Sequence, residues 1–491
     1  MKPVRTVLRH LARAVGYTAL GAVLFGGWFY VSLAQSQADL RPWHTAKLEA
    51  EYRGPGDDRV SSYADYVALE NELFAELHRE VYDSGDPGTQ SRWSRYFRGG
   101  PQDSSASNHA WNRSVELAAE HPVGGALLLH GATDSPYSMR AIGELLHARG
   151  WHVVIPRYPG HGTAPVGLYT FDWRDIAEVA KLAAHHLREQ VGDDAPLVMV
   201  GYSTGAGIAA DYALAKLEGE DREAFDRIVL LSPAMGVSPI AAFAKTQGRL
   251  AAFLGVPKLA WTSIQPEYDP YKYNSFSVNA GDQVYELTVS VDERLARLSN
   301  DAGVVVGMPP ILSFQSLVDA TVSTRAVIAF HDKLASNEGH QLVIFDVDRS
   351  QATADFLQSS DLAILDELPE RGARNYELTV VGNLDDESDE LAAWDDVATR
   401  EGAHAVPIGA SWPKGVYSLT HVALPFREHD PVYGLTPYGD PARPSLGNLQ
   451  LRGERGLFVV DGDGRMRLRC NPFFDYMAQR IVEALESVEK R

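Results

Sequence analysis

From about residue 111 the chain alternates short, wholly apolar runs with stretches whose apolar residues recur at helical spacing. No other pattern in it narrows the possible folds as far. Gly125-Ala126-Leu127-Leu128-Leu129-His130 precedes a helical pattern over 138–148 that carries Met139, Ile142, Leu145 and Leu146, with Gly150 at its end. Trp151-His152-Val153-Val154-Ile155 precedes one over 172–190, and Pro196-Leu197-Val198-Met199-Val200-Gly201-Tyr202 precedes one over 204–217. Arg227-Ile228-Val229-Leu230-Leu231-Ser232, Ile311-Leu312-Ser313-Phe314 and Gln341-Leu342-Val343-Ile344-Phe345 continue the series. Strands apolar at every position are covered on both faces, as parallel strands joined by crossover helices must be. The expectation is an α/β fold with a mostly parallel central sheet and helices on both faces. A terminal helix follows Asn471 and Pro472, with Phe474, Met477, Ile481, Val482 and Leu485 as its apolar stripe.

The rest of the 491 residues is arranged around this core. Between Ala14 and Ala34 lie 21 uncharged, mostly apolar residues, long enough for a membrane-spanning helix. Arg5, Arg9 and Arg13 precede the run and Asp39 follows it, so residues 1–13 are expected in the cytoplasm and the bulk of the chain on the extracytoplasmic, periplasmic side. Ser32-Leu33-Ala34 also reads as a signal-peptide cleavage site, in which case the protein is secreted. Residues 35–110 form an extension. Tyr63, Tyr66, Val67, Leu69, Leu73, Leu77 and Val81 give it an amphipathic helix expected to pack on the main domain, and 99–107 read as a linker. The core is expected over 111–235 and 307–491. Two insertions interrupt it, at 236–306 and at about 350–415, the second containing the acidic run Asp385-Asp386-Glu387-Ser388-Asp389-Glu390. An EF-hand spacing is absent from that run, which reads as a solvated loop.

Charge and cysteine content exclude several functions. With 65 Asp and Glu against 45 Lys and Arg, the formal charge of −20 disfavours nucleic acid as a partner. One cysteine, Cys470, allows neither an intrachain disulfide nor a multi-cysteine zinc site, and it reads as a packed side chain near the last helix.

Chemistry enters at Gly201-Tyr202-Ser203-Thr204-Gly205. The serine stands between a buried-type strand and a helix opening with small residues, as a sharp strand-to-helix turn requires. Such a turn exposes the hydroxyl beside a helix N-terminus, which favours developing negative charge. An acyl-transfer enzyme also needs donors for the oxyanion; the backbone N–H groups of Thr204 and Ala132 are the candidates, with His130 and Gly131 shaping the loop.

His130-Gly131-Ala132-Thr133-Asp134-Ser135-Pro136, Pro156-Arg157-Tyr158-Pro159-Gly160-His161-Gly162-Thr163 and the Ser203 pentapeptide together resemble the monoacylglycerol lipase and carboxylesterase branch of the α/β-hydrolase superfamily. The resemblance is close over about 115–235 and looser over 305–425. It implies an α/β-hydrolase fold, a Ser, Asp, His triad in that order, and a cap, for which 236–306 is the matching insertion. It sets His161 in a loop near the pocket, in a structural or lining role. Asp319, in Ser313-Phe314-Gln315-Ser316-Leu317-Val318-Asp319, resembles the family's acid, although Leu317 replaces a small residue; Asp346 and Asp348 are the alternatives. His421, in Tyr417-Ser418-Leu419-Thr420-His421, resembles the base, with His429 its nearest rival and His331, His340 and His404 further ones. About 70 extra residues before His421 depart from the family pattern.

The expected activity is hydrolysis of a small-molecule or lipid-derived carboxylic ester through an acyl-enzyme on Ser203, with no metal or organic cofactor. Cap aromatics, among them Trp261, Tyr268, Tyr271, Tyr273 and Phe276, would line an apolar acyl pocket. A serine peptidase or amidase on the same scaffold is the competing enzyme. A catalytically silent, membrane-tethered binding module is the competing non-enzyme.

Overall fold

The structure, a computed structural model, describes residues 2–84, 91–105, 111–236, 256–336, 338–350, 362–365, 367–368, 374–395, 405–435, 446–448 and 466–489. Strands β1 (Val115–Leu117), β2 (Gly124–Leu129), β3 (Trp151–Ile155), β4 (Leu197–Tyr202) and β5 (Arg227–Leu231) come first. A separate two-stranded ribbon, β6 (Trp261–Ser263) and β7 (Phe276–Ser277), lies within the first insertion. β8 (Ile311–Ser316), β9 (Gln341–Phe345), β10 (Glu377–Asn383), β11 (Glu390–Asp395) and β12 (Ala405–Ser411) follow. The main sheet has ten strands in the order β1-β3-β2-β4-β5-β8-β9-β10-β11-β12. From β3 to β10 neighbours are parallel, while β1, β11 and β12 run antiparallel at the two edges. Every residue of β2, β3, β4, β5 and β8 is buried, as their unbroken apolar composition demands.

Among the described residues the helices of eight residues or more are α1 (Lys2–Gln35), α2 (Tyr63–Leu77), α3 (Arg140–His147), α4 (Trp173–Val191), α5 (Thr204–Leu217), α6 (Val278–Leu298), α7 (Thr324–Asp332) and α8 (Phe474–Glu489). In α5 all residues from Thr204 to Ala215 are buried, with β4 on one side and α6 on the other, so this helix has no polar stripe. Cys470 is buried just ahead of α8.

Three features differ from the sequence expectation. α1 takes in the apolar run at 14–34, but among the described residues no helix is long and apolar enough to cross a membrane, so a transmembrane anchor has no support. Leu20, Leu24, Phe25 and Trp28 of this helix are exposed. The stretch at 350–415 contributes three strands: β10, β11 and β12 widen the sheet, and the acidic run forms the exposed turn of the β10–β11 hairpin up to Glu390, which opens β11. Pro407 sits on the outermost strand, where a residue without an N–H costs no ladder bond.

The third difference is the depth to which 35–110 joins the core. Tyr63, Tyr66, Leu69 and Leu73 of α2 lie in one cluster with Leu127, Trp173 and Ile176. Beside them Arg157, wholly buried, sends Nη2 to Glu51 Oε1 at 2.8 Å and Nε to Glu70 Oε1 at 2.9 Å. Removing one side of a buried, hydrogen-bonded charge pair strands the other. Arg157→Ala is therefore expected to cost about 3–5 kcal/mol in chemical denaturation. A loss below about 1 kcal/mol, the scale of an exposed pair, would show that this cluster does not tie the extension down.

Candidate active site

The chain runs from β2 outward to β3 and then returns to β4 on the other side of β2. Loops leaving the carboxyl ends of β2 and β4 therefore diverge at a crevice, the usual ligand position in open α/β sheets. Ser203 occupies the turn after β4 with φ 55° and ψ −117°, a conformation that costs a non-glycine residue on the order of 1–3 kcal/mol. The surrounding backbone holds it there. Ser203 N–H donates to Leu231 O at 2.9 Å, and its carbonyl accepts from the N–H groups of Ala206, Gly207 and Ala234. Gly205 is required by crowding: a Cβ there would lie 2.3 Å from Leu129 O and 2.6 Å from His130 O. That crowding seats the start of α5 against the end of β2.

His421 Nε2 lies 2.9 Å from Ser203 Oγ, and His421 Nδ1 lies 2.9 Å from Asp319 Oδ2. The side chains of His421 and Asp319 are 4% and 0% exposed, so this relay is shielded from water. Asp319 Oδ1 accepts from the N–H groups of Thr321 and Val322 at 2.8 and 3.1 Å. Burial pushes the Asp319 carboxyl up, but the facing His421 and the two N–H bonds outweigh it and hold the group below its ordinary value. Ser316 Oγ donates to Leu419 O at 2.6 Å, joining the strand before the acid to the loop before the histidine.

The rival residues are engaged elsewhere. Asp346 holds Arg349 at 2.6 and 3.0 Å, and Asp348 accepts from Ser350 N and Asn383 Nδ2. His331 pairs with Ser313, His340 with Glu338 and the Ile311 N–H, and His429 is exposed. His404 lies outside the described residues. The extra chain before His421 runs out through β10, β11 and β12 and back, so the lengthened connection still delivers its histidine to Ser203.

Gly131 packs against the serine, since a Cβ on it would stand 3.3 Å from Ser203 Cβ. The adjacent Ala132 N–H and the Thr204 N–H, the oxyanion candidates, have no hydrogen-bond partner among the described residues. His130 stacks on Tyr158 at 3.8 Å and is buried, which pushes its pKa well down and keeps the ring neutral. His161 is likewise buried and lowered by burial, with Nε2 2.6 Å from Ala132 O. It is a positioning residue for the Ala132 peptide. His161→Ala is expected to lower kcat by up to about 10²-fold with little change in KM, because an oxyanion donor binds mainly the transition state. A change carried in KM instead would assign His161 to substrate binding.

The first insertion is fastened to this loop. Tyr273 N–H donates to Thr133 O at 2.9 Å, Lys272 faces Asp134, and Tyr271 stacks on Tyr137 at 3.7 Å and 6°. These contacts bury Tyr271 and Tyr273. Of the aromatic residues expected to line a pocket, Tyr271 is packed against Tyr137 while Tyr268 and Tyr273 line a cavity beside the His421 loop, and the sequence reading missed the Asp134–Lys272 pair. Nearby, burial pushes the Glu267 carboxyl up to about 7 from an ordinary 4.5, against the N–H groups of Asn274 and Ser275 and the charge of Arg95. The folded state then binds a proton that the unfolded chain has released, so this stabilisation is complete below pH 4.5 and lost by about pH 7. Glu267→Gln is expected to raise Tm relative to wild type progressively from pH 5 to 8. A pH-independent offset would contradict this.

Known proteins show corresponding likenesses. A model of the serine aminopeptidase family, S33, matches residues 120–347, a segment containing Ser203 and Asp319 but ending before His421. The thermostable monoacylglycerol lipase of Bacillus sp. (strain H-257) is 47% identical over 45 residues, which are 9% of this chain and 18% of that lipase. Among solved structures, one from a study of LipS and LipT, two metagenome-derived lipolytic enzymes, aligns with 48% of this chain and 87% of its own at 21% identity and a TM-score of 0.37. The Paleococcus ferrophilus monoacylglycerol lipase aligns with 48% and 88% at 20% identity and a TM-score of 0.36.

Proposed function

We propose that the chain, whose residues 120–347 match an α/β-hydrolase family model and which resembles a monoacylglycerol lipase over 45 residues, cleaves carboxylic esters through an acyl-enzyme on Ser203. The observation that carries this reading is the unbroken hydrogen-bond path from Ser203 through His421 to Asp319 at the mouth of the sheet. Ser203 Oγ attacks the ester carbonyl while His421 Nε2 takes its proton, and Asp319 stabilises the imidazolium. The N–H groups of Ala132 and Thr204 meet the oxyanion. His421 then returns the proton to the leaving alcohol, and water, activated by the same imidazole, releases the acid.

A fluorophosphonate probe tests this directly: wild type should label and Ser203→Ala should not. Absence of labelling in wild type would favour a silent binding module. Turnover of aminoacyl arylamides without turnover of 4-nitrophenyl esters would favour the amidase or peptidase reading. We further propose an extracytoplasmic location, supported by Arg5, Arg9 and Arg13 before the apolar run and Asp39 after it. A cleaved leader satisfies this without a spanning helix. Protection from protease added outside spheroplasts would overturn it.

A further inference from the structure

A cavity of about 400 Å³ lies between the segment 263–274 and the loop carrying His421. Val422 lines it, together with Tyr268, Lys272, Tyr433, Arg467 and Arg469. Among the described residues three cations and no carboxylate line this space, in a chain whose formal charge is −20. We infer that the ester substrate carries an anionic group, a carboxylate or phosphate, which Arg467, Arg469 and Lys272 receive in this cavity. The inference rests on the esterase reading above.

The cations are only partly satisfied by the protein. Lys272 Nζ stands 3.3 and 3.4 Å from the Asp134 oxygens, and Arg469 reaches Asp269 at 3.5 Å and Tyr268 Oη at 3.4 Å. These are long contacts for charged pairs. Arg467 donates to Thr321 Oγ1 at 3.0 Å and meets no carboxylate among the described residues. Two acids therefore stand behind three cations, leaving positive charge and several N–H donors toward the cavity. A neutral acyl tail would desolvate those donors and give nothing in return, whereas a carboxylate or phosphate matches the guanidinium fork.

Position links the cavity to the reacting ester. Lys272 pairs with Asp134 on the loop that carries Ala132. Arg467 bonds Thr321, whose N–H bonds Asp319. Thr420, just before His421, donates to the carbonyl of Leu468, between the two arginines. The cavity thus borders the His421 loop through Val422 and is tied by these bonds to the loops of Ala132 and Asp319, so that the anionic end of the ester sits in it while the carbonyl reaches Ser203.

The test compares kcat/KM for 4-nitrophenyl hydrogen adipate and 4-nitrophenyl hexanoate, whose acyl chains differ in ending with a carboxylate or a methyl. Wild type should prefer the adipate by about tenfold or more, and added salt should erode the preference. Arg467→Met strands no carboxylate and should cut the ratio by about tenfold. Because the ratio is read within each protein, a general loss of activity cancels. A wild-type ratio at or below unity, or a ratio unchanged in both Arg467→Met and Lys272→Met, overturns the inference. Fluorophosphonate labelling of the same preparations separates the two claims: labelled protein without the preference sinks the anionic substrate alone, and unlabelled protein sinks the esterase reading beneath it.

Discussion

Ser203→Ala and His421→Ala are each expected to lower kcat for a 4-nitrophenyl ester by roughly 10⁴–10⁶-fold, and the double variant by no more than either single one. Nucleophile and base act as one unit, because the hydroxyl 2.9 Å from His421 Nε2 is a weak attacker without that base, and the base has nothing to activate without it. The remaining rate comes from binding and from the Ala132 and Thr204 N–H groups. Alanine should leave the turn standing, since the bonds that hold it use the Ser203 backbone. Thermal melting checks that, and a single variant retaining a tenth of wild-type kcat with unchanged Tm would remove that residue from the mechanism.

Asp319→Asn should cost roughly 10⁴-fold in kcat, because an amide facing His421 Nδ1 stabilises the wrong tautomer and cannot balance the imidazolium. Asp346→Asn, one strand further on, should lower Tm through its lost pairing with Arg349 and leave kcat within about tenfold. The opposite ranking of the two variants would mean that the acid has been misassigned. The side chain of Asp319 is buried, so refolding yield must be measured with the kinetics.

The legible parts of this protein share a physical cause. Parallel strands buried on both faces cannot hide their composition, so β2, β3, β4 and β5 stand out as apolar runs. A serine in a strained turn likewise needs small neighbours on both sides, which Gly201, Gly205 and Gly207 supply. Asp319 and His421 were reachable only through family likeness and chain order, since nothing local to either residue requires the other 102 positions away. β12 escaped notice because an outermost strand is only half covered, here with Pro407 and Gly409 in it, while the buried β10 and β11 were passed over inside what read as an insertion. Lys272 is nearly two hundred positions from Arg467, and only folding brings them together.

The Arg157 cluster bears on how such an enzyme can be divided or recombined. The stretch that matches a known family starts at 120, yet the carboxylates that neutralise its buried guanidinium lie at 51 and 70. Cut at the family boundary, the catalytic half would keep an orphaned charge in its interior. A graft onto a relative would succeed only if it carried the extension along. The portable module in this protein is therefore larger than the stretch that matches the family, and its left border is an ion pair rather than a linker.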